Sequence, residues 1–156
     1  MRGIDGQPDS DFFEYREDPE QPGWHTWNLK DNTRFNGVVM GPMWTRVEGE
    51  TCRLRMIPEH RHTNLQEIIH GAVTLGLIDI SLFAALRTLG RGDAGMAVTL
   101  ELSTQFIGGG DPSRPLDAVV EVVRETGRLM FLRGQVVQKD DTVAGFSGII
   151  RKATRK

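Results

Sequence analysis

HRHTNLQEIIHGAVTLGLIDISLFAALRTL, His60 to Leu89, is the stretch that decides the fold, because a polar lead-in hands over to an almost wholly apolar run containing one carboxylate, Asp79. Ala72, Val73, Leu75, Leu77, Ile78, Ile80, Leu82, Phe83 and Leu86 surround that acid in sequence. A helix here would be apolar on every side and therefore buried. An ionised carboxylate in such a setting costs several kcal/mol unless paired or hydrogen-bonded, and groups of that kind concentrate at catalytic sites. The plain alternative is a buried acid that meets Arg87 or shares a proton.

Geometry adds a second constraint. If His70-Gly71 opens the helix, the Gly71 N–H is one of the donors left without an intrahelical partner, at the positive end of the helix dipole, and suits an oxyanion. Asp79 lies eight residues further on, which at ~1.5 Å per residue is about 12 Å away. An oxyanion donor and a nucleophile or base must both come within ~3 Å of one reacting centre. One helix therefore cannot serve both roles for one substrate. A second copy running antiparallel across a two-fold axis sets Gly71 of one subunit beside Asp79 of the other, so the expected assembly is an obligate homodimer with two composite sites.

Outward from this segment, the 156 residues fit a single domain, and the net charge of −2 gives no electrostatic case for nucleic acid. The one cysteine, Cys52, rules out a disulfide framework and alternates with Leu54 and Met56 as strand core. The start, MRGIDGQPDSDFFEYRED, has no apolar signal region, and the longest apolar run is broken by Asp79. No membrane span is expected, and the location expected is cytoplasmic.

Residues 1–34 read as an N-terminal arm and lead-in, with Phe12, Phe13 and Tyr15 docking on the body and Trp24 to Phe35 forming a short helix or irregular segment. Residues 35–156 read as the domain proper. Val38 to Arg46 and Thr51 to Ile57 make a hairpin ended by Pro58. After the helix, Met96 to Phe106 alternates, with Val98, Leu100, Leu102, Thr104 and Phe106 on one face and Thr99, Glu101, Ser103 and Gln105 on the other. Asp117 to Glu125, Arg128 to Gln138 and Thr142 to Lys152 follow at hairpin spacing. One buried helix inserted in a run of antiparallel strands is an α+β arrangement in which the sheet wraps the helix.

Asn64, His70-Gly71 and Asp79 in an apolar helix resemble the signature of the hotdog-fold acyl-CoA thioesterases, in their phenylacetate-pathway and THEM-like branch. The likeness extends through AVTLELSTQF, GRLMFLRGQVV and GFSGIIRK and covers roughly Phe35 to Lys152. It implies a hotdog fold, an antiparallel sheet around a long central helix, paired as a homodimer and assembled as a dimer of dimers. It implies hydrolysis of an acyl- or aryl-acyl-CoA to the free acid and coenzyme A, with no cofactor. By the same resemblance Gly71 N–H polarises the thioester carbonyl, Asp79 of the facing subunit is nucleophile or general base, Asn64 orients water or carbonyl, His70 stands near the sulfur, and Thr99 positions water against Asp79. Two positions depart from the family pattern: Ala72 replaces a second glycine, and Glu67 replaces a glycine between the asparagine and histidine.

Around these, Ala72, Phe83 and Phe131 are candidates for lining the acyl pocket with Leu86, Met96 and Phe106. Arg128, with Arg114, Arg151 and Lys152, is a candidate for gripping coenzyme A phosphates, although scattered surface cations are the default reading. His60, His62 and His70 do not make a convincing metal set, and Gly108-Gly109-Gly110 lacks the Lys-Ser/Thr of a phosphate loop. A non-catalytic acyl-CoA binding or sensing module on the same fold is the alternative function. A hydratase is disfavoured by the spacing of Asn64, His70, Gly71 and Asp79.

Overall fold

The computed structural model describes residues 12–92 and 96–153. Four short strands come first, β1 (Phe13–Glu14), β2 (Glu17–Asp18), β3 (Gln21–Thr26) and β4 (Asn28–Leu29). A π-helical turn, Asn36–Met40, leads into the hairpin β5 (Met43–Glu48) and β6 (Thr51–Met56). A 3-10 turn, His60–His62, precedes the single α-helix among the described residues, α1 (Gly71–Thr88). Four long strands finish the domain, β7 (Val98–Phe106), β8 (Leu116–Glu125), β9 (Leu129–Gln138) and β10 (Asp141–Arg151).

Eight strands form one antiparallel sheet in the order β2-β3-β5-β6-β8-β9-β10-β7, with β1 and β4 paired separately. The sheet curves around α1, which is the α+β hotdog arrangement. Alternation explains the wrap: Cys52, Leu54 and Met56 on β6, Ala118 and Val120 on β8, and Met130, Leu132 and Val136 on β9 are all buried, and they meet Leu77, Ile78, Leu82 and Leu86 of the helix in one core. On β10 the Leu82 side chain packs onto Gly148, whose missing Cβ would stand 2.7 Å from a Leu82 methyl carbon. By length and composition α1 could cross a membrane, yet 67% of it is buried inside the fold, as a core helix would be.

Cys52 sits in this core fully buried, its Sγ 3.2 Å from the Thr45 hydroxyl, and burial pushes its thiol up. On the outer face Asp117, 3% exposed, takes the guanidinium groups of Arg53 and Arg55, and Arg55 and Arg46 each lie 4.4 Å from the Trp24 ring centre. Strand alternation marks β5 and β6 but not this charged outer layer, which depends on which strands become neighbours.

The segment before the first hairpin differs from the sequence expectation. Trp24 to Leu29 is extended rather than helical: His25 pairs with Thr45, Thr26 with Trp44, and the Asn28 side chain accepts from Met43 N–H. These strands are too short to show a period, and pairing with β5 overrides local preference. Val38 to Met40 belongs to the π-helical turn, so β5 begins at Met43. Of the three aromatic residues expected to dock, Phe13 and Tyr15 are buried, against Trp27 and the Arg87 guanidinium, while Phe12 is exposed. Arg87 therefore reaches the lead-in rings, 5.8 and 5.6 Å away, and is spoken for at the far end of the helix from Gly71.

Candidate active site

The start of α1 is set by His70. Its backbone is extended, its Nδ1 accepts from the Ala72 N–H at 2.9 Å, and its carbonyl accepts from Val73 and Thr74. That is an N-cap made by an imidazole. Because a backbone N–H can only donate, Nδ1 is the unprotonated nitrogen and Nε2 carries the hydrogen on an exposed side chain. Between His70 and Ala72 stands Gly71, whose N–H has no partner among the described residues.

Asn64 lies at the neck of a tight loop tied by the Thr63–Ile69 bridge. Its Oδ1 accepts from Gln66 N–H (2.9 Å) and Ile68 N–H (3.4 Å), so the amide is oriented with Nδ2 left as donor. Glu67 closes the loop at φ 58. This is the left-handed region, where glycine is normally favoured, and it explains why a glycine suits the position in the family pattern. The Glu67 side chain is exposed. Glu67→Gly is expected to raise stability by about 1 kcal/mol, roughly 2–4 °C in Tm, as read by thermal unfolding. An unchanged or lower Tm would contradict the strain.

Asp79 is half-buried rather than enclosed, which corrects the expectation of a helix covered on every side. Ala72 and Leu75 are exposed, and Gly76, Asp79 and Phe83 are only partly covered, so one stripe of α1 lies open along its length. The Thr99 hydroxyl donates to Asp79 Oδ1 at 2.6 Å. Asp79 Oδ2 has no hydrogen-bond partner among the described residues.

Simple alternation puts Thr99 on the face of β7 opposite Leu102, and a β-bulge moves it. Ile149 pairs with Glu101 while Ile150 pairs with Thr99, so Leu100 is an extra residue and the alternation flips there. Thr99 thus reaches the helix, as does Leu102, whose methyl carbon lies 3.2 Å from the Cβ position of Gly148. Further along β7, the Phe106 ring lies 3.3 Å from the Cβ position of Gly71.

The structure brings Asn64, His70, Gly71 and Ala72 together at one end of α1, and Asp79, Thr99 and Phe83 along its open stripe. A cavity of about 250 Å³ beside the helix start is lined by Asn64, Gly71, Thr74 and Phe106 with the Gly108–Gly110 loop. Those glycines serve packing: a Cβ on Gly110 would lie 2.8 Å from an Ile69 side-chain carbon. Phe131 stands between Met130 and Leu132, both buried against the helix, so its side chain takes the outer face of the sheet, away from Asp79. Leu86 is in the core. Arg128 is exposed in the β8–β9 turn beside Lys152, at the Thr99 end of the sheet and not at the Gly71 end. Both nitrogens of His62 are committed, Nδ1 to Glu59 N–H and Nε2 to the Val39 carbonyl, so this ring is a structural tie.

Solved structures that share this architecture include two PaaI proteins and a thioesterase superfamily member. The PaaI protein of the E. coli phenylacetic acid degradation operon is 18% identical, with a TM-score of 0.63 over 72% of this chain and 80% of its own. A mutant of the phenylacetic acid degradation protein PaaI from Thermus thermophilus is 20% identical, with a TM-score of 0.61 over 70% and 92%. Thioesterase superfamily member 2 from Mus musculus is 16% identical, with a TM-score of 0.64 over 77% and 90%. At these identities the likeness speaks for the fold. No curated protein matches the chain in sequence. The sequence profile of the thioesterase superfamily matches residues 66–144, from the loop before the helix to the middle of β10. With half of its length matched and the hotdog fold around the matched helix, the chain belongs to the thioesterase superfamily.

Proposed function

We propose that the protein hydrolyses an acyl- or aryl-acyl-CoA thioester as a homodimer, with each site shared between two subunits. One observation carries the reading: the unpartnered Gly71 N–H and Asp79, which Thr99 of β7 holds by one oxygen, lie on one helix, eight residues and about 12 Å apart. They serve one carbonyl only when a second copy turns its helix against the open stripe. The long β7 edge supports the same assembly, since one side of it is unpaired among the described residues and Val98, Leu100 and Phe106 are 42%, 52% and 57% exposed. Such an edge is a template for strand pairing. Pairing of two dimers into a tetramer is part of the proposal, as the resemblance implies it.

In the shared site the thioester oxygen accepts from Gly71 N–H, with Asn64 Nδ2 as a second donor. The carboxylate comes from the other chain: the partner's Thr99 holds Oδ1 of the partner's Asp79 as it does within each chain, leaving Oδ2 to attack the carbonyl carbon or to take a proton from an attacking water. The C=O electrons move onto oxygen and are met by the fixed donors. Their return expels the coenzyme A sulfur, to which His70 Nε2–H is directed as hydrogen-bond donor. In the water route the proton held by the partner's Asp79 passes to that sulfur, and in the direct route a water then cleaves the mixed anhydride, releasing the free acid and restoring the carboxylate. Release of free thiol from a panel of CoA thioesters tests the activity. Binding of CoA esters with no release would make the protein a binding module instead.

A further inference from the structure

A wall of apolar side chains that the sequence did not single out stands beside Asp79. The Phe35 ring and the Met40 sulfur approach the Cβ position of Gly76 to 3.6 and 3.2 Å, so the absence of a side chain there lets the π-helical turn rest on the helix. Gly76 precedes Asp79 by three residues, about 4.5 Å along the axis, on the same open stripe. Phe35 and Val38 nevertheless remain 55% and 56% exposed, and Val39 38%. The turn is tied down from behind: Arg61 Nη1 donates to the Val38 carbonyl and His62 Nε2 bonds the Val39 carbonyl at 2.7 Å. Exposed apolar groups on an anchored segment beside a carboxylate are arranged for a ligand with an apolar part.

Resting on the thioesterase reading above, we infer that Phe35 and Val38 form the acyl-recognition wall of the site, selecting an apolar, aromatic or branched acyl group over an anionic one. The charge balance points the same way. Asp79 is the only charged side chain on the stripe, and the two cations flanking the turn, Arg34 and Arg61, are paired with Asp31 and Glu59, so the carboxylate of a succinyl or malonyl group placed there would meet a like charge. An aromatic acyl group gains an offset stack on Phe35, and a branched one gains its area.

The test compares kcat/KM for acetyl-, phenylacetyl-, isovaleryl- and succinyl-CoA in the full-length protein, in Phe35→Ala and in Phe35→Leu, with oligomeric state measured for each. Phe35→Ala is expected to lower kcat/KM for the phenylacetyl and isovaleryl esters about 10-fold, mostly through KM, while changing the acetyl ester little. Phe35→Leu is expected to recover the isovaleryl ester more than the phenylacetyl ester. An unchanged preference in Phe35→Ala, or a loss shared equally by all esters with dissociation of the dimer, would overturn the wall. Wild-type turnover that depends on Asp79 but not on Phe35 removes this inference alone; a wild-type protein that releases no thiol from any ester removes the thioesterase reading with it.

Discussion

Asp79→Asn is expected to lower thiol release from the best CoA thioester by about 10³-fold or more while leaving Tm within a few degrees. The asparagine has the same shape, and the Thr99 hydroxyl that donates to Oδ1 at 2.6 Å still finds an acceptor oxygen. What disappears is the negative charge, and with it the capacity to attack carbon or take a proton from water. The half-buried position on the open stripe means that no core contact depends on it. Far-ultraviolet circular dichroism and thermal unfolding separate loss of chemistry from loss of fold. Turnover like the wild type would remove Asp79 from the reaction.

The second large effect concerns a backbone hydrogen. Gly71→Pro deletes the N–H assigned to the oxyanion, and few helix positions would tolerate the change as well as this one. Gly71 is the first helical residue, where proline is favoured because its missing N–H has no intrahelical partner. His70, at φ −63 and ψ 136, already has the extended backbone required before proline. The added ring meets a Phe106 edge carbon 3.3 Å from the Cβ position, which is a flexible side chain rather than backbone. The expected result is a folded dimer whose kcat falls by about 10²–10³-fold, the range for loss of one oxyanion donor. A folded Gly71→Pro protein with unchanged kcat would assign the oxyanion elsewhere.

Much of this was written in the chain where local chemistry decides the outcome. His70-Gly71 before an apolar run marked the helix start, because the imidazole supplies a cap and the glycine follows it. The hairpin turns at Gly49 and Thr126-Gly127 were legible because glycine and polar clusters interrupt strict alternation. The position of Thr99 against Asp79 is implied by the resemblance but is not legible in the alternation of β7. A bulge at Leu100 shifts the face of one strand end without leaving any break in the apolar pattern, since only the register with Ile149 and Ile150 defines it. Nor did composition separate the open stripe of α1 from its buried faces. Leu75 and Ala72 are as apolar as Leu82 and Ala84, because a surface awaiting another subunit has the same needs as one packed in the core. The wall at Phe35 and Val38 is not legible for a related reason, as the meeting of Phe35 and Met40 with Gly76 joins segments far apart in sequence.

The arrangement across the two-fold is best tested with a heterodimer of Asp79→Asn and Gly71→Pro chains, co-expressed under different affinity tags and purified through both. Each homodimer should be nearly inactive. In the heterodimer one site carries both changes and the other carries neither, so thiol release should return to about half of the wild-type rate per dimer. A heterodimer as inactive as its parents would place the donor and the carboxylate in the same subunit's site and contradict the shared one.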